Sequence, residues 1–118
     1  MNLKIETRQI EDGVSVIEIG GRVAIGRESG QIEPKVSDAI AAGATTVLID
    51  LAGVSHIDST GIGIMAFCYG KAAQRGTELR IVGATPNVLE LFRMTRLVNV
   101  IPFFPDVSSA LQGSDRLT

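Results

Sequence analysis

Residues 46–51 read Thr-Val-Leu-Ile-Asp-Leu, and Ala52-Gly53 follows them directly. A short, nearly continuous apolar run is typical of a strand that is covered on both faces of a sheet. The glycine after it favours the end of the strand at that point. These residues therefore predict the central strand of a sheet, around which the other segments can be placed.

Two strand-like segments, residues 3–11 and 14–19, lie near the N-terminus and are separated by Asp12-Gly13. An Asp-Gly pair favours a tight turn, so the two segments should pair as an antiparallel hairpin. A glycine-rich connection over residues 20–30 follows. Apolar residues then recur at helical spacing and predict a first helix that ends at Gly43.

Strands and helices alternate beyond the central strand. A second helix is predicted from about Thr60 to Gln74, and a strand over residues 78–83. Pro86 fits the first turn of a third helix, residues 100–103 form a last short strand, and Asp106 caps a final helix. The alternation predicts an α/β fold with a mixed four- to five-stranded sheet and about four helices packed on it.

Length and composition agree with one folded domain. The chain has 118 residues, of which 45% are hydrophobic and 20% are charged, the balance of an ordinary globular protein. We assign residues 1–112 to a single domain and residues 113–118 to a loose C-terminal tail. The sequence leaves the oligomeric state open.

Several function classes are not expected from the composition. The net charge is −2 and no run of like charge occurs, so a nucleic-acid partner is not expected. The longest apolar stretch, residues 62–69, is far shorter than the roughly 20 residues of a bilayer span, and no leader pattern is seen. We expect a cytoplasmic protein without direct membrane insertion. With Cys68 and His56 the only residues of their types, neither a metal site nor a cofactor is expected.

The connection between the central strand and the second helix carries Asp58, Ser59 and Thr60. Here the first backbone amides of a helix lack helical partners, and short oxygen-bearing side chains commonly accept their hydrogen bonds. The same amides and the helix dipole favour negative charge, so a phosphate on Ser59 would be tolerated. The pattern thus permits a simple helix cap or a phosphorylation site.

Residues 56–63 read His-Ile-Asp-Ser-Thr-Gly-Ile-Gly. This stretch resembles the Asp-Ser-Ser/Thr-Gly-Leu/Ile-Gly motif of anti-sigma factor antagonists, which belong to the STAS domain family. The resemblance extends to the opening hairpin, to the central strand and to residues 88–95, which are similar to the family's third-helix motif. It covers nearly the whole chain and implies a STAS-like fold.

The resemblance also implies a function. In that family, the serine after the motif aspartate is phosphorylated by an anti-sigma factor that is also a serine kinase, and a PP2C-like phosphatase reverses the modification. The unmodified antagonist binds the anti-sigma factor and releases a sigma factor. The phosphorylated residue implied here is Ser59, with Thr60 as second choice, and the chain would not be an enzyme. The implied partner-binding residues are Arg22, Ala24, His56, Ile57, Asp58, Thr60, Gly61 and Ile62.

One stretch departs from the family pattern and supports an alternative function. Many phosphorylated members carry an acidic residue and then Asp or Asn after the second strand, whereas this chain reads Gly21-Arg22-Val23-Ala24. Arg22 is either a charge partner for a phosphoserine or a solvated loop side chain. The alternative function is a non-phosphorylated STAS scaffold or a transporter-associated subunit.

Two other readings of the motif are weaker. Residues 61–66 match a dinucleotide-binding fingerprint, but a loop of nearly ten residues is predicted between the strand and the first glycine, which the fingerprint does not allow. His56, Asp58 and Ser59 have the residue types of a catalytic triad, but they are nearly consecutive in sequence. A working triad needs its base between nucleophile and acid in space, so catalysis is not expected.

Overall fold

The computed structural model describes residues 3–26 and 28–117. Strands β1 (Lys4–Glu11) and β2 (Val14–Val23) form the antiparallel hairpin that the sequence predicted. Gly13 lies in the turn with φ +76°, a left-handed conformation that glycine adopts at little cost. A short 3₁₀ helix (Glu28–Gln31) leads into helix α1 (Ile32–Ala41).

The rest of the chain alternates between strands and helices. Its elements are β3 (Thr46–Ile57), α2 (Ser59–Gln74), β4 (Glu78–Val82), α3 (Pro86–Met94), a 3₁₀ turn (Leu97–Asn99), β5 (Phe103–Phe104) and α4 (Val107–Gln112). The strand order is β1-β2-β3-β4-β5. Only the β1–β2 pair is antiparallel and the other three are parallel. The predicted mixed sheet with helices packed on it is confirmed.

The sheet is covered unequally on its two faces. Helices α1, α2 and α3 bury the larger core against one face, and α4 alone buries a smaller cluster against the other. Phe103 lies in the larger core and Phe104 in the smaller one, because successive residues of a strand point to opposite faces. The two phenylalanines thus contribute to the packing on both faces of the sheet.

Strands β2 and β3 extend beyond Gly20 and Gly53, where the sequence predicted them to end. The two glycines are register partners beside a shift in the pairing. A Cβ atom added at Gly53 would lie 3.3 Å from Cα of Gly20. The glycines therefore permit a close approach of two continuing strands at a bulge, as glycine often does within strands. The extension brings Val23 and Ile57 together as partners at the end of the sheet.

The last strand was also placed wrongly, over residues 100–103. The segment before it turns through the 3₁₀ helix, which begins after Arg96 in a left-handed conformation with φ +64°. Val100 is 51% exposed, and pairing with β4 begins only at Phe103. The apolar run is thus divided between a turn and a strand, which its composition does not reveal.

Helix α2 buries one face and exposes the other. Cys68 is fully buried on the inner face, where it packs as a small apolar residue, and burial raises the pKa of its thiol to about 12. Gly63 and Gly70 lie on the exposed side, and nothing is within 4 Å of a Cβ atom added at either position. Close packing of the helix therefore does not require glycine at either position.

The C-terminal residues contact the outer edge of the sheet. The backbone amide of Leu117 donates to the carbonyl oxygen of Phe103 at 2.8 Å, and that of Ser114 donates to the carbonyl oxygen of Ser109 at 3.0 Å.

Within the part of the chain that the structure describes, no helix is long and apolar enough to cross a membrane.

Candidate functional site

Asp58 is the single residue between β3 and α2. Its backbone is extended, with φ −113° and ψ −173°, and its Oδ1 accepts a hydrogen bond from the amide of Gly61 at 3.0 Å. This is the geometry of an N-cap, in which a side-chain oxygen takes one of the unpaired amides of the first turn. Asp58 therefore caps α2.

The second carboxylate oxygen of Asp58 binds a different segment. Oδ2 accepts from the amide of Ile25 at 3.0 Å, and the amide of Asp58 donates to the carbonyl oxygen of Val23 at 3.1 Å. Asp58 thus connects the loop after β2 to the start of α2. The amides of Gly61 and Ile25 hold the pKa of this carboxyl below its usual range, with smaller contributions from the Thr60 amide and the charge of His56. The carboxylate is therefore ionised at neutral pH.

Ser59 and Thr60 are the first two residues of α2, and both are exposed. Their hydroxyl groups are accessible at the positive end of the helix dipole, where negative charge is favoured. A phosphoryl group can therefore be accommodated on either hydroxyl. Ser59 lies directly beside the capping Asp58.

Gly61 sets the close approach of α2 to the ends of β2 and β3. A Cβ atom added at Gly61 would lie 2.5 Å from Cγ1 of Ile57 and 2.7 Å from the carbonyl oxygen of Val23. Ile57 and Ile62 are 1% and 7% exposed. The side chains of these two isoleucines are buried under the site, and neighbouring residues form its surface.

Arg22 and His56 are neighbours across the β2–β3 pair. They are register partners at the ends of the two strands, and both side chains are exposed. Arg22 therefore lies in a strand, and the expectation of a loop at this position is wrong. The loop begins at Ala24, which is half-buried. The structure thus places two basic residues at paired positions of the sheet, and His56 lies three residues before Ser59 in the sequence.

Two exposed apolar residues near the motif were not singled out from the sequence. Ile25 is 81% exposed in the loop that Asp58 binds, and Phe67 is 62% exposed on the outer face of α2. Helical spacing could have placed Phe67 on the same face as Gly63 and Gly70. No sequence signal indicated that Ile25 would face solvent.

The structure bears on the chemical alternatives for the motif. Among residues 3–26 and 28–117, no group of three or more His, Cys, Asp or Glu side chains could hold a metal ion.

The long loop invoked against the dinucleotide fingerprint is absent, because β3 reaches Ile57. Gly61 instead lies inside α2, and its amide is already bonded to Asp58. Both oxygens of Asp58 accept from backbone amides, which leaves the catalytic-triad reading without support from this carboxylate.

A mixed five-stranded sheet of this order, with an exposed serine beside the capping aspartate of the second helix, defines a class of small α/β domain. The family model described as STAS domain matches residues 4–110. The chain belongs to the STAS domain family.

Relatives with curated names agree with this class. An anti-sigma-B factor antagonist of Listeria monocytogenes is 29% identical to this chain over 119 residues, which cover 98% of the chain and 99% of that protein.

Solved structures share the fold. The crystal structure of an anti-sigma factor antagonist from Mycobacterium paratuberculosis superposes with a TM-score of 0.81 at 24% identity, over 95% of this chain and 93% of that one. The Bacillus cell fate determinant SpoIIAA in its phosphorylated form gives a TM-score of 0.69 at 20% identity, over 92% of this chain and 97% of that one.

Proposed function

We propose that this protein is an anti-sigma factor antagonist that acts as a phosphorylation-controlled partner switch in the cytoplasm. The unmodified form binds an anti-sigma factor with serine kinase activity and thereby releases a sigma factor. That kinase phosphorylates Ser59 and ends the interaction, and a PP2C-like phosphatase restores the unmodified form.

The observation that carries this proposal is the position of Ser59. Its hydroxyl is exposed on the first residue of α2, next to a capping aspartate whose two oxygens hold the surrounding backbone in place. The relative named above is an anti-sigma-B factor antagonist, and SpoIIAA is known in a phosphorylated form. Thr60 is also exposed and is the second choice as acceptor.

The switch follows from charge. Phosphorylation adds about −1.5 to −2 charges to a surface that must approach its partner closely. An unpaired charge buried at an interface costs about 2–5 kcal/mol, which weakens binding by roughly 30-fold to more than 1,000-fold. Since Asp58 is ionised beside Ser59, the new charge adds to one already present.

Arg22 and His56 form the basic part of this surface in the proposal. They are register partners at the ends of β2 and β3, in the stretch where many phosphorylated relatives carry an acidic residue followed by Asp or Asn. The partner surface also includes Ala24 and Thr60, with Ile57, Gly61 and Ile62 as its support.

The test is phosphoryl transfer in vitro. The protein is incubated with ATP and, one at a time, the purified kinase-type anti-sigma factors of its own organism, and its intact mass is measured. We expect wild type and Thr60→Ala to gain one phosphoryl group and Ser59→Ala to gain none. Gain on Ser59→Ala but not on Thr60→Ala would move the site to Thr60.

The same measurement decides the alternative function. If no kinase modifies wild type, the switch is wrong, and a non-phosphorylated STAS scaffold or transporter-associated subunit becomes the better proposal. Ala24, in the stretch where many phosphorylated relatives carry Asp or Asn, is the feature that favours this alternative.

A further inference from the structure

An uncharged, partly apolar helix face begins at Ser59. Residues 59–70, the first three turns of α2, contain no Asp, Glu, Lys or Arg. Phe67 is 62% exposed on the outer side of these turns, and Ile25 is 81% exposed in the adjoining loop. We call this region, made of Ile25, Ser59, Gly63 and Phe67, the α2 face.

Ile25 occupies a defined place in the α2 face. Its backbone amide donates to Oδ2 of Asp58 at 3.0 Å, and Oδ1 of the same carboxylate accepts from Gly61 in the first turn of α2. The loop backbone at Ile25 is therefore tied to the helix start that carries Ser59. An apolar side chain held in water next to the motif gains nothing from the fold, and its burial would require contact with another molecule.

Gly63 lies one helical turn from both Ser59 and Phe67, and it makes the α2 face flat between them. Glycine is disfavoured within helices. Nothing lies within 4 Å of a Cβ atom added at Gly63, and the residue has no left-handed φ, so neither packing nor backbone conformation requires glycine there. The flat stretch lets another surface approach Ser59 closely beside the ring of Phe67.

We propose that Ile25 and Phe67 are the apolar anchors by which the anti-sigma factor binds the unmodified α2 face. This inference rests on the proposed function, in which the same partner must contact Ser59, and the two anchors are continuous with that residue. Cores of protein interfaces are depleted in charged residues and enriched in aromatic anchors, as the α2 face is. The matching surface of the partner is therefore apolar and uncharged where it meets Phe67 and Ile25.

The arrangement explains why one phosphate is an effective off signal. A phosphoryl group on Ser59 adds about two negative charges beside the ionised Asp58, at the start of three helical turns that carry no charged side chain. The partner's apolar surface supplies no cation to offset them. Binding of the phosphorylated form then requires the burial of an unpaired charge.

The test is the Kd of the unmodified protein for the purified kinase-type anti-sigma factors of its own organism, measured by titration calorimetry without ATP. The variants are Ile25→Ala and Phe67→Ala, and the control is Met94→Ala. Met94 is 70% exposed at the end of α3, so it matches the anchors in exposure but lies outside the α2 face. We expect Phe67→Ala to weaken binding about tenfold or more, Ile25→Ala at least about threefold, and Met94→Ala less than about twofold.

The outcomes separate this inference from the proposed function. Tight binding by wild type with equal Kd values for all three variants would refute the anchors and leave the partner switch standing. No binding of wild type to any of these anti-sigma factors would refute both. The same variants are run on size-exclusion chromatography, and if they abolish self-association while the Kd for the anti-sigma factor is unchanged, a second copy of the chain is the occupant and the inference is wrong.

Discussion

At the scale of single residues, Gly61 has the least space for a side chain among the glycines whose surroundings the structure describes. The helix start and the ends of β2 and β3 meet there, and the space for a side chain is already filled by Ile57 and the backbone of Val23. A backbone oxygen cannot move aside as a flexible side chain can. The placement of Ser59 therefore depends on the absence of a side chain two residues later.

We expect Gly61→Ala to lower the free energy of unfolding by about 1–3 kcal/mol, since overpacking of this degree exceeds the gain in helix propensity. The control is Gly63→Ala on the same helix, where the added methyl group meets nothing and stability should rise by about 0.5–1 kcal/mol. Urea denaturation measures both. Equal effects of the two substitutions would show that the close contact at Gly61 does not constrain the helix.

At the scale of elements, one ion pair joins α1 to α2. Nζ of Lys71 lies 2.5 Å from Oε2 of Glu33, and the side chains are 34% and 28% exposed. The hydroxyl of Ser37 also donates to Oε2 of Glu33 at 2.5 Å. Hydrogen bonds from Lys71 and Ser37 lower the pKa of the Glu33 carboxyl. The folded state therefore favours the ionised form of Glu33.

This pair makes stability depend on pH in a defined direction. The folded-state pKa of Glu33 is below its unfolded value, so its contribution is complete above about pH 4.5 and is lost as the pH falls through the lowered pKa. We expect Lys71→Met to cost about 0.5–1 kcal/mol of unfolding free energy at pH 7 and progressively less below pH 4.5.

Arg93→Met provides the control for this prediction. Arg93 pairs with Glu90 at 3.9 Å on the surface of α3, where both side chains are at least half exposed. Such a pair contributes little, so its removal should leave the stability unchanged. Thermal unfolding from pH 3 to pH 7 compares the two variants, and a cost for Lys71→Met that stays constant over this range would contradict the assignment to Glu33.

At the scale of the whole molecule, the short strand β5 forms one of the two edges of the sheet, opposite β1. The carbonyl oxygen of Phe103 points away from β4 and accepts a hydrogen bond from the amide of Leu117. Unpaired edges favour association with other strands, and natural proteins often cover them. The segment predicted from the sequence as a loose tail is thus in a position to cover this edge.

Leu117→Pro tests whether the tail performs that role. Proline removes the amide that donates to Phe103, so we expect a loss of about 1 kcal/mol in unfolding free energy and increased self-association. Leu117→Ala keeps the amide and should have a smaller effect. Urea denaturation and light scattering measure these changes. If both variants behave as wild type, residues 113–118 are a loose tail, as the sequence predicted.

The sequence predicted the four α-helices, the opening hairpin and the central strand, because apolar spacing, caps and turn residues are local signals. Its errors at Gly20 and Gly53 share one cause, since glycine marks either the end of a strand or a close approach between two strands, and only the pairing partner decides which. The cap at Asp58 was likewise predictable from the sequence. The second hydrogen bond of its carboxylate, from the amide of Ile25, spans 33 residues and follows from tertiary structure alone.

Cys68, on the buried inner side of α2, can serve as a probe of local opening. Thiol reagents react with the thiolate, and burial together with a pKa of about 12 leaves almost none of it in the folded protein at neutral pH. The rate at which Cys68 reacts therefore reports how often the structure around this thiol opens. The measurement is made under native conditions and needs no introduced reporter residue. The same inertness leaves the native cysteine in place while a second one, introduced on the surface, carries a fluorophore or cross-linker.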